Sequence, residues 1–219
     1  MKKYFDILKK CPLFYQIEEE KLTALLKCLD AKVEYFEKKY TIITEGSLAK
    51  YICIMLSGSA QIIRIDYYGN RTILSAIEPS EMFCEAFACA ETEEIPVTVV
   101  ANEPCEIMLI DCQHIMHTCS NSCGFHQQMI FNLMKNLAHK NILLHQKTEI
   151  TSKRTTREKL MAYLMLEAQK CGSNKFNIPF NRQELADFLE VDRSGLSSEI
   201  SKLRREEIIK CNKNRFVLL

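Results

Sequence analysis

No stretch of this chain approaches the roughly 18 consecutive apolar residues that crossing a membrane requires, so a membrane-spanning role is not expected. No Cys-x-x-Cys spacing occurs, which removes the usual signature of a structural zinc site or a thioredoxin-like redox centre. There is no glycine-rich phosphate loop and no Ser-His-Asp order. All five histidines, at 114, 117, 126, 139 and 145, follow the last expected strand, whereas a cupin-like metalloenzyme needs them on its strands. These absences argue against an enzyme. The N-terminal MKKYFDILKKCPLF starts basic but has no continuous apolar core and no small-residue cleavage site. It is not expected to be a signal peptide, and a cytoplasmic protein is expected.

A net charge of one sign is also lacking. Against 29 Lys and Arg stand 28 Asp and Glu, a balance of +1 that hides an asymmetry. Thr151 to Leu219 carry 14 basic and 9 acidic residues, while the first 150 residues hold the remaining 15 and 19. A basic C-terminal module on an acidic body suits contact with nucleic acid. Hydrophobic content of 47% and charge of 26% fit a globular chain of one or two domains with a real core. Eleven cysteines are present, an odd number, mostly in apolar contexts such as Ile52-Cys53-Ile54 and Phe83-Cys84. In a reducing cytoplasm they act as small hydrophobes.

The order of elements can be read from periodicity. Residues 3–10 and 18–29 read as short helices, the second with Leu22, Leu25, Leu26 and Leu29 on one stripe. From Ala31 the chain changes to short runs rich in Val, Ile and Tyr, broken about every ten residues by Gly, Asn or Pro. Ile42-Ile43, Tyr51–Leu56, Ala60–Ile65, Arg71–Ile77, Val97–Ala101 and Ile107–Ile110 read as strands, with Gly69-Asn70 as a hairpin turn. Many short strands at even spacing predict an antiparallel β-barrel or jelly roll. Cys112–Asn121 reads as a short helix, and Gly124–Thr148 as a long one free of Pro and internal Gly. Ile130, Met134, Leu137, Asn141, Leu144 and Thr148 alternate at spacings of four and three, a coiled-coil seam with Asn141 setting the register. Met129 and Leu133 form a second stripe able to face the barrel.

The most informative stretch is Arg182 to Leu203. Asn181 caps a first helix with Glu184 at capping-box spacing, and Leu185, Ala186 and Leu189 supply its buried side. Glu190-Val191 is the turn. Asp192 caps a second helix, buried through Leu196, Ile200 and Leu203. Arg193, Ser194, Ser197, Ser198, Ser201 and Lys202 are left facing outward, with Arg204-Arg205 at the far end. This is a helix-turn-helix, with Ile208–Cys211 and Arg215–Leu218 forming a β-wing around Asn212-Lys213-Asn214. Arg193 suits bidentate reading of guanine O6 and N7. Arg182, Gln183, Lys213 and Arg215 suit phosphates. The expected DNA-contacting set is therefore Arg182, Gln183, Asp192, Arg193, Ser194, Ser197, Ser198, Lys202, Lys213 and Arg215. Gly195, inside the reading helix, costs about 1 kcal/mol against Ala and is read as tolerated. Thr151 to Arg157 is polar and basic, a hinge whose Thr155 or Thr156 caps the helix from Arg157 to Lys170.

Taken together, barrel, long helix, hinge and winged helix-turn-helix resemble the CRP/FNR family of bacterial transcription regulators over nearly the whole length, most strongly in Ser152–Leu160 and Arg182–Leu203. The resemblance implies an α+β chain with three parts: a cyclic-nucleotide-binding-like barrel with flanking helices over 1–123, a long dimerisation helix and hinge over 124–150, and a winged helix-turn-helix over 151–219. It implies a homodimer paired through Ile130, Met134, Leu137, Asn141 and Leu144. Its partner is a palindromic operator in double-stranded DNA, read by helices about 34 Å apart, with RNA polymerase as a further partner if the protein activates. Arg193 matches the arginine that reads a guanine in relatives. Ser194 and Ser198 stand where the cyclic-AMP receptor has an acidic residue and a second arginine, which implies a different operator.

The sensor motif departs from the family pattern. Nucleotide binders carry a Gly-Glu pair and, about ten residues on, an Arg-Ser pair that grips the cyclic phosphate. Here Met82-Phe83-Cys84-Glu85-Ala86-Phe87 keeps the glutamate but has Cys84 for the glycine, and Ile95-Pro96 occupies the Arg-Ser place. With Glu91, Glu93 and Glu94 close by, cyclic AMP is not expected. Only Cys11 and Cys28 lie near the N-terminus, so an iron–sulfur cluster is not expected either. The looser set Cys112, His114, His117, Cys119, Cys123 and His126 reads as ordinary helical residues, and no metal or cofactor is assigned. An unknown effector is expected to act through Cys84, Glu85, Ala86, Val97, Thr98, Leu133 and Leu137, whereas a redox signal would act through Cys84 and Cys89. The alternative is a regulator that needs no effector, with a barrel that serves only as a dimer scaffold.

Overall fold

The computed structural model describes residues 2–65, 67–68, 71–116 and 124–219. They form two compact units, Met1–Ala138 and His139–Leu219, with the division inside one long helix.

The first unit opens with a 3-10 turn at Lys2–Tyr4, α1 (Phe5–Leu8), a second 3-10 turn at Pro12–Phe14 and α2 (Glu19–Cys28). Eight strands follow: β1 (Lys32–Phe36), β2 (Thr41–Ile43), β3 (Tyr51–Ser57), β4 (Ala60–Ile65), β5 (Arg71–Ile77), β6 (Met82–Phe83), β7 (Thr98–Ala101) and β8 (Cys105–Asp111). They build two four-stranded antiparallel sheets, ordered β1-β8-β3-β6 and β2-β7-β4-β5. This is the expected double-sheet jelly roll. Ile65 pairs with Arg71, as a tight β4–β5 connection requires, although Gly69 and Asn70 themselves lie outside the described residues.

Strand β3 explains how the core is divided. Its Tyr-Ile-Cys-Ile-Met-Leu-Ser run is buried almost throughout, so both faces of its sheet are covered. Side chains alternate across a strand. Ile52, Ile54 and Leu56 therefore join one core with Leu8, Leu13, Leu22, Leu26, Met108 and Ile110, beneath the N-terminal helices. Cys53 and Met55 point the other way, into a second core with Val97, Val99, Cys105 and Ile107 between the sheets. Two strands escaped the sequence reading. Lys32–Phe36 has no fully buried residue, and Met82-Phe83 is only two residues long.

A short α3 (Glu85–Cys89) and α4 (Cys112–Met116) flank β7 and β8. The rest of the helix expected through Asn121, with His117, Cys119 and Cys123, lies outside the described residues. Helix α5 (Gly124–Thr151) runs 28 residues, about 42 Å at the helical rise. Met129 and Leu133 are buried in the core under the N-terminal helices, as their stripe predicted. Asn132 is buried with them and donates from Nδ2 to the carbonyls of Leu13 at 3.0 Å and Tyr15 at 2.8 Å. No helix among the described residues is long and apolar enough to cross a membrane.

The second unit contains α6 (Thr156–Cys171), β9 (Lys175–Asn177), α7 (Arg182–Leu189), α8 (Arg193–Arg205), β10 (Ile209–Asn212) and β11 (Arg215–Leu218). The strands form an antiparallel sheet ordered β10-β11-β9. Thr155 and Glu158 close a capping box at the start of α6, and Gly172 ends it in the left-handed conformation at φ 60°. Leu160, Leu164, Leu185, Leu189, Leu196, Leu203 and Phe216 are the fully buried centre, so every helix of the unit contributes its apolar stripe to one core.

Candidate nucleic-acid interface

The reading unit is set up by its caps. Asn181 Oδ1 accepts from the amides of Gln183 at 2.9 Å and Glu184 at 3.0 Å, while Glu184 Oε2 accepts from the Asn181 amide at 2.7 Å. Helix α7 stops at Glu190, which adopts φ 54°, ψ 53°. Asp192 then starts α8, accepting from the Gly195 amide at 2.8 Å and from the Ser194 hydroxyl. Those bonds favour the carboxylate and hold Asp192 below its ordinary range, the Ser194 bond contributing most.

With Leu196, Ile200 and Leu203 buried, the opposite side of α8 presents Arg193, Ser194, Ser197, Ser198, Ser201 and Lys202, all exposed. The Arg193 guanidinium makes no hydrogen bond or ion pair among the described residues. The hydroxyls differ from the simple expectation of a free serine row. Ser194 is held by Asp192, and Ser201 donates to the Ser197 carbonyl at 2.9 Å. Asp192, placed in the contacting set by the sequence reading, is a cap whose carboxylate is spent within the protein. Gln183 also has a local partner, donating to Asp187 Oδ1 at 2.8 Å, and Lys202 lies 3.5 Å from Glu199.

Arg182 and Lys213 line one groove of about 520 Å³ between the start of α7 and the wing turn, together with Asn181 and Asn214. Arg182 is half-buried with its guanidinium 6.0 Å from the centre of the Phe216 ring. Lys213 sits at the wing tip with φ 53°, and Arg215 is exposed beside it. A groove lined by Arg182 and Lys213 suits contact with phosphates.

Two positioning residues were missed from the sequence. Arg157, in the first turn of α6, forks onto Glu206 just past the end of α8, donating from Nη1 to Oε1 at 3.0 Å and from Nη2 to Oε2; it also lies 3.6 Å from Glu199. The guanidinium holds Glu206 below its ordinary range. Lys159 donates to the carbonyls of Leu189 at 3.2 Å and Glu190 at 3.4 Å, satisfying the end of α7. Together they fix both helices of the reader to α6. Their partners are 30 to 49 residues away, so no local pattern signals them.

The residues expected around an effector are not gathered in one place. Cys84 and Val97 belong to the core between the sheets, whereas Leu133 and Leu137 pack in the core under the N-terminal helices. Glu85 is buried, Ala86 is exposed, and Thr98 accepts from the Glu45 amide at 3.2 Å. The alternation along β3 and β8 puts a sheet between the two groups. Of the expected dimer seam, Met134, Asn141 and Leu144 are exposed, but Ile130 and Leu137 are partly covered by the core. Phe131, exposed at 57%, belongs with the open stripe and was overlooked. In the histidine and cysteine set, Cys112 and His126 are buried, and His114 Nδ1 lies 3.1 Å from the Leu29 carbonyl.

Comparison with known proteins agrees with this architecture. Residues 33–122 match the cyclic nucleotide-binding domain model, and residues 158–219 match the Crp-like helix-turn-helix domain model. The transcriptional activator protein FnrL of Cereibacter sphaeroides is 20% identical over 200 residues, covering 84% of this chain and 75% of that protein. The crystal structure of DNR from Pseudomonas aeruginosa superposes with a TM-score of 0.52 at 20% identity, over all of this chain and 95% of the other. The catabolite activator protein of Thermus thermophilus gives 0.50 at 20% identity, over 95% and 93%. Barrel and DNA reader carry the same signature, and the chain belongs to the CRP/FNR family, whose members are DNA-binding transcription regulators and not enzymes.

Proposed function

We propose that the protein acts in the cytoplasm as a homodimer that reads a palindromic operator with α8, under the control of an effector or redox signal other than cyclic AMP. The observation that carries the DNA half is the exposed Arg193 at the first position of α8, unpartnered among the described residues, in the same unit as the groove lined by Arg182 and Lys213. Met134, Asn141 and Leu144, exposed along α5 beside Phe131, support pairing through that helix. RNA polymerase is a further partner if binding activates transcription.

The exclusion of cyclic AMP is supported by what fills the place of the family's phosphate-gripping pair. Ile95 is 3% exposed in the core between the sheets, a packing position and not an anion site. Cys84 takes φ 61°, the left-handed backbone natural to the family's glycine, and adds a buried thiol there. The test is selection of the preferred operator from random DNA by the purified protein, followed by binding with and without cyclic AMP. A palindromic site bound by two chains, insensitive to cyclic AMP, is expected. A single-chain complex on a non-repeated site, or a nucleotide-dependent gain, overturns the proposal.

A further inference from the structure

We propose that Cys89 and Cys112 form an oxidisable dithiol, a modification site at which an oxidant of the peroxide class closes a disulfide between the end of α3 and the start of α4. The two sulfurs lie 3.7 Å apart, and a disulfide needs about 2.05 Å, an approach within reach of side-chain rotation. Cys89 is the last residue of α3 and Cys112 the first of α4, so neither sits deep inside a helix. Access differs between them: Cys89 is half-buried, whereas Cys112 is 3% exposed. Cys53 and Cys84 are also neighbours, but both are enclosed in the core between the sheets. The Cys89–Cys112 pair is the one that an oxidant in solution reaches through one member.

The chemistry follows from that asymmetry. The contact between the two thiols lowers the Cys89 thiol below its ordinary range, while Cys112 is raised well above it by that same contact, by burial, and by Asp111 and Glu91. The Cys89 thiolate attacks one peroxide oxygen, the O–O bond breaks, and the leaving hydroxide takes up the proton released by Cys89 to become water. The Cys112 sulfur then attacks the Cys89 sulfenic acid. Its S–O bond breaks, and the hydroxyl leaves as water with the Cys112 proton. Two thiols and one peroxide give one disulfide and two waters.

This deepens the redox arm of the proposed function and depends on that reading for its consequence, not for its chemistry. The full-length reduced protein is treated with hydrogen peroxide, blocked with iodoacetamide and mapped by mass spectrometry without reduction. The expected result is a peptide containing Cys89 linked to one containing Cys112 within a single chain. Dithiothreitol reverses the link, and Cys89→Ser abolishes it. Cys89 and Cys112 both remaining alkylatable, or Cys89 advancing to sulfinic acid with no link, overturns the proposal; this wild-type measurement holds even if Cys112→Ser fails to fold. Operator binding is measured on the same samples. A link that forms while operator affinity stays constant upholds the site and removes it as the signal in the proposed function.

Discussion

Replacing Arg193 by Ala is the sharpest test of the DNA reader. Arg193 is exposed at the first position of α8 and has no partner among the described residues, so the substitution breaks no intramolecular bond. Alanine is as good a helix former as arginine, and stability is expected to change by less than about 0.5 kcal/mol. A bidentate arginine–guanine contact discriminates by about 1–3 kcal/mol. A homodimer on a palindrome uses it twice, so operator affinity should fall by about 2–6 kcal/mol, at least about 30-fold. The assay is fluorescence anisotropy with the selected operator and a scrambled duplex at several salt concentrations, with a thermal melt as control. The loss should be confined to the operator, and the salt slope should stay as in wild type, because a base contact releases no phosphate counterion. Unchanged operator affinity refutes the assignment. An equal loss on both duplexes with a shallower salt slope makes Arg193 a phosphate contact instead.

Other substitutions probe the fold beneath the site. A Cβ on Gly58, at φ +74°, would meet the Pro104 carbonyl oxygen at 2.4 Å and Cys105 Cβ at 2.7 Å. Gly58→Ala should destabilise the barrel by about 2–4 kcal/mol in urea unfolding, and a loss below about 1 kcal/mol contradicts this packing. Gly195 meets only Asp192 Oδ2 at 3.8 Å, so Gly195→Ala should stabilise by about 0.5–1 kcal/mol with operator affinity unchanged. Weaker binding despite the added stability would show that the DNA needs the missing Cβ. Asp192 and Glu206 are held below their ordinary values of 3.8 and 4.5, so their contribution is present above those values and is lost as pH falls through the lower folded values. Melting temperature should fall on acidification below about pH 4, less steeply in Asp192→Ala; identical slopes contradict the capping role.

The reader was legible because its signals are local. The capping box at Asn181 joins residues three apart, and the apolar stripes of α7 and α8 repeat every three or four, so sequence order nearly equals spatial order there. The jelly roll was legible for a related reason, since turn residues at even spacing mark its hairpins. Strands β1 and β6 lacked that signal, one for want of buried residues and the other for want of length. The residues expected around an effector were divided between two cores for a different reason. The sequence reading assumed that Cys84 and Leu133 share one cavity, but alternation along β3 sends neighbouring residues to opposite cores.

By itself the sequence determined the class of most elements and the caps that start the reading helices. Each depends on residue type or on neighbours within about four positions. Only the tertiary structure decided that Arg157 forks onto Glu206, 49 residues away, and that Cys89 and Cys112 meet across 23 residues. Those contacts are set by how helices and sheets pack around shared cores, where hydrophobic burial selects the arrangement and polar partners follow from it.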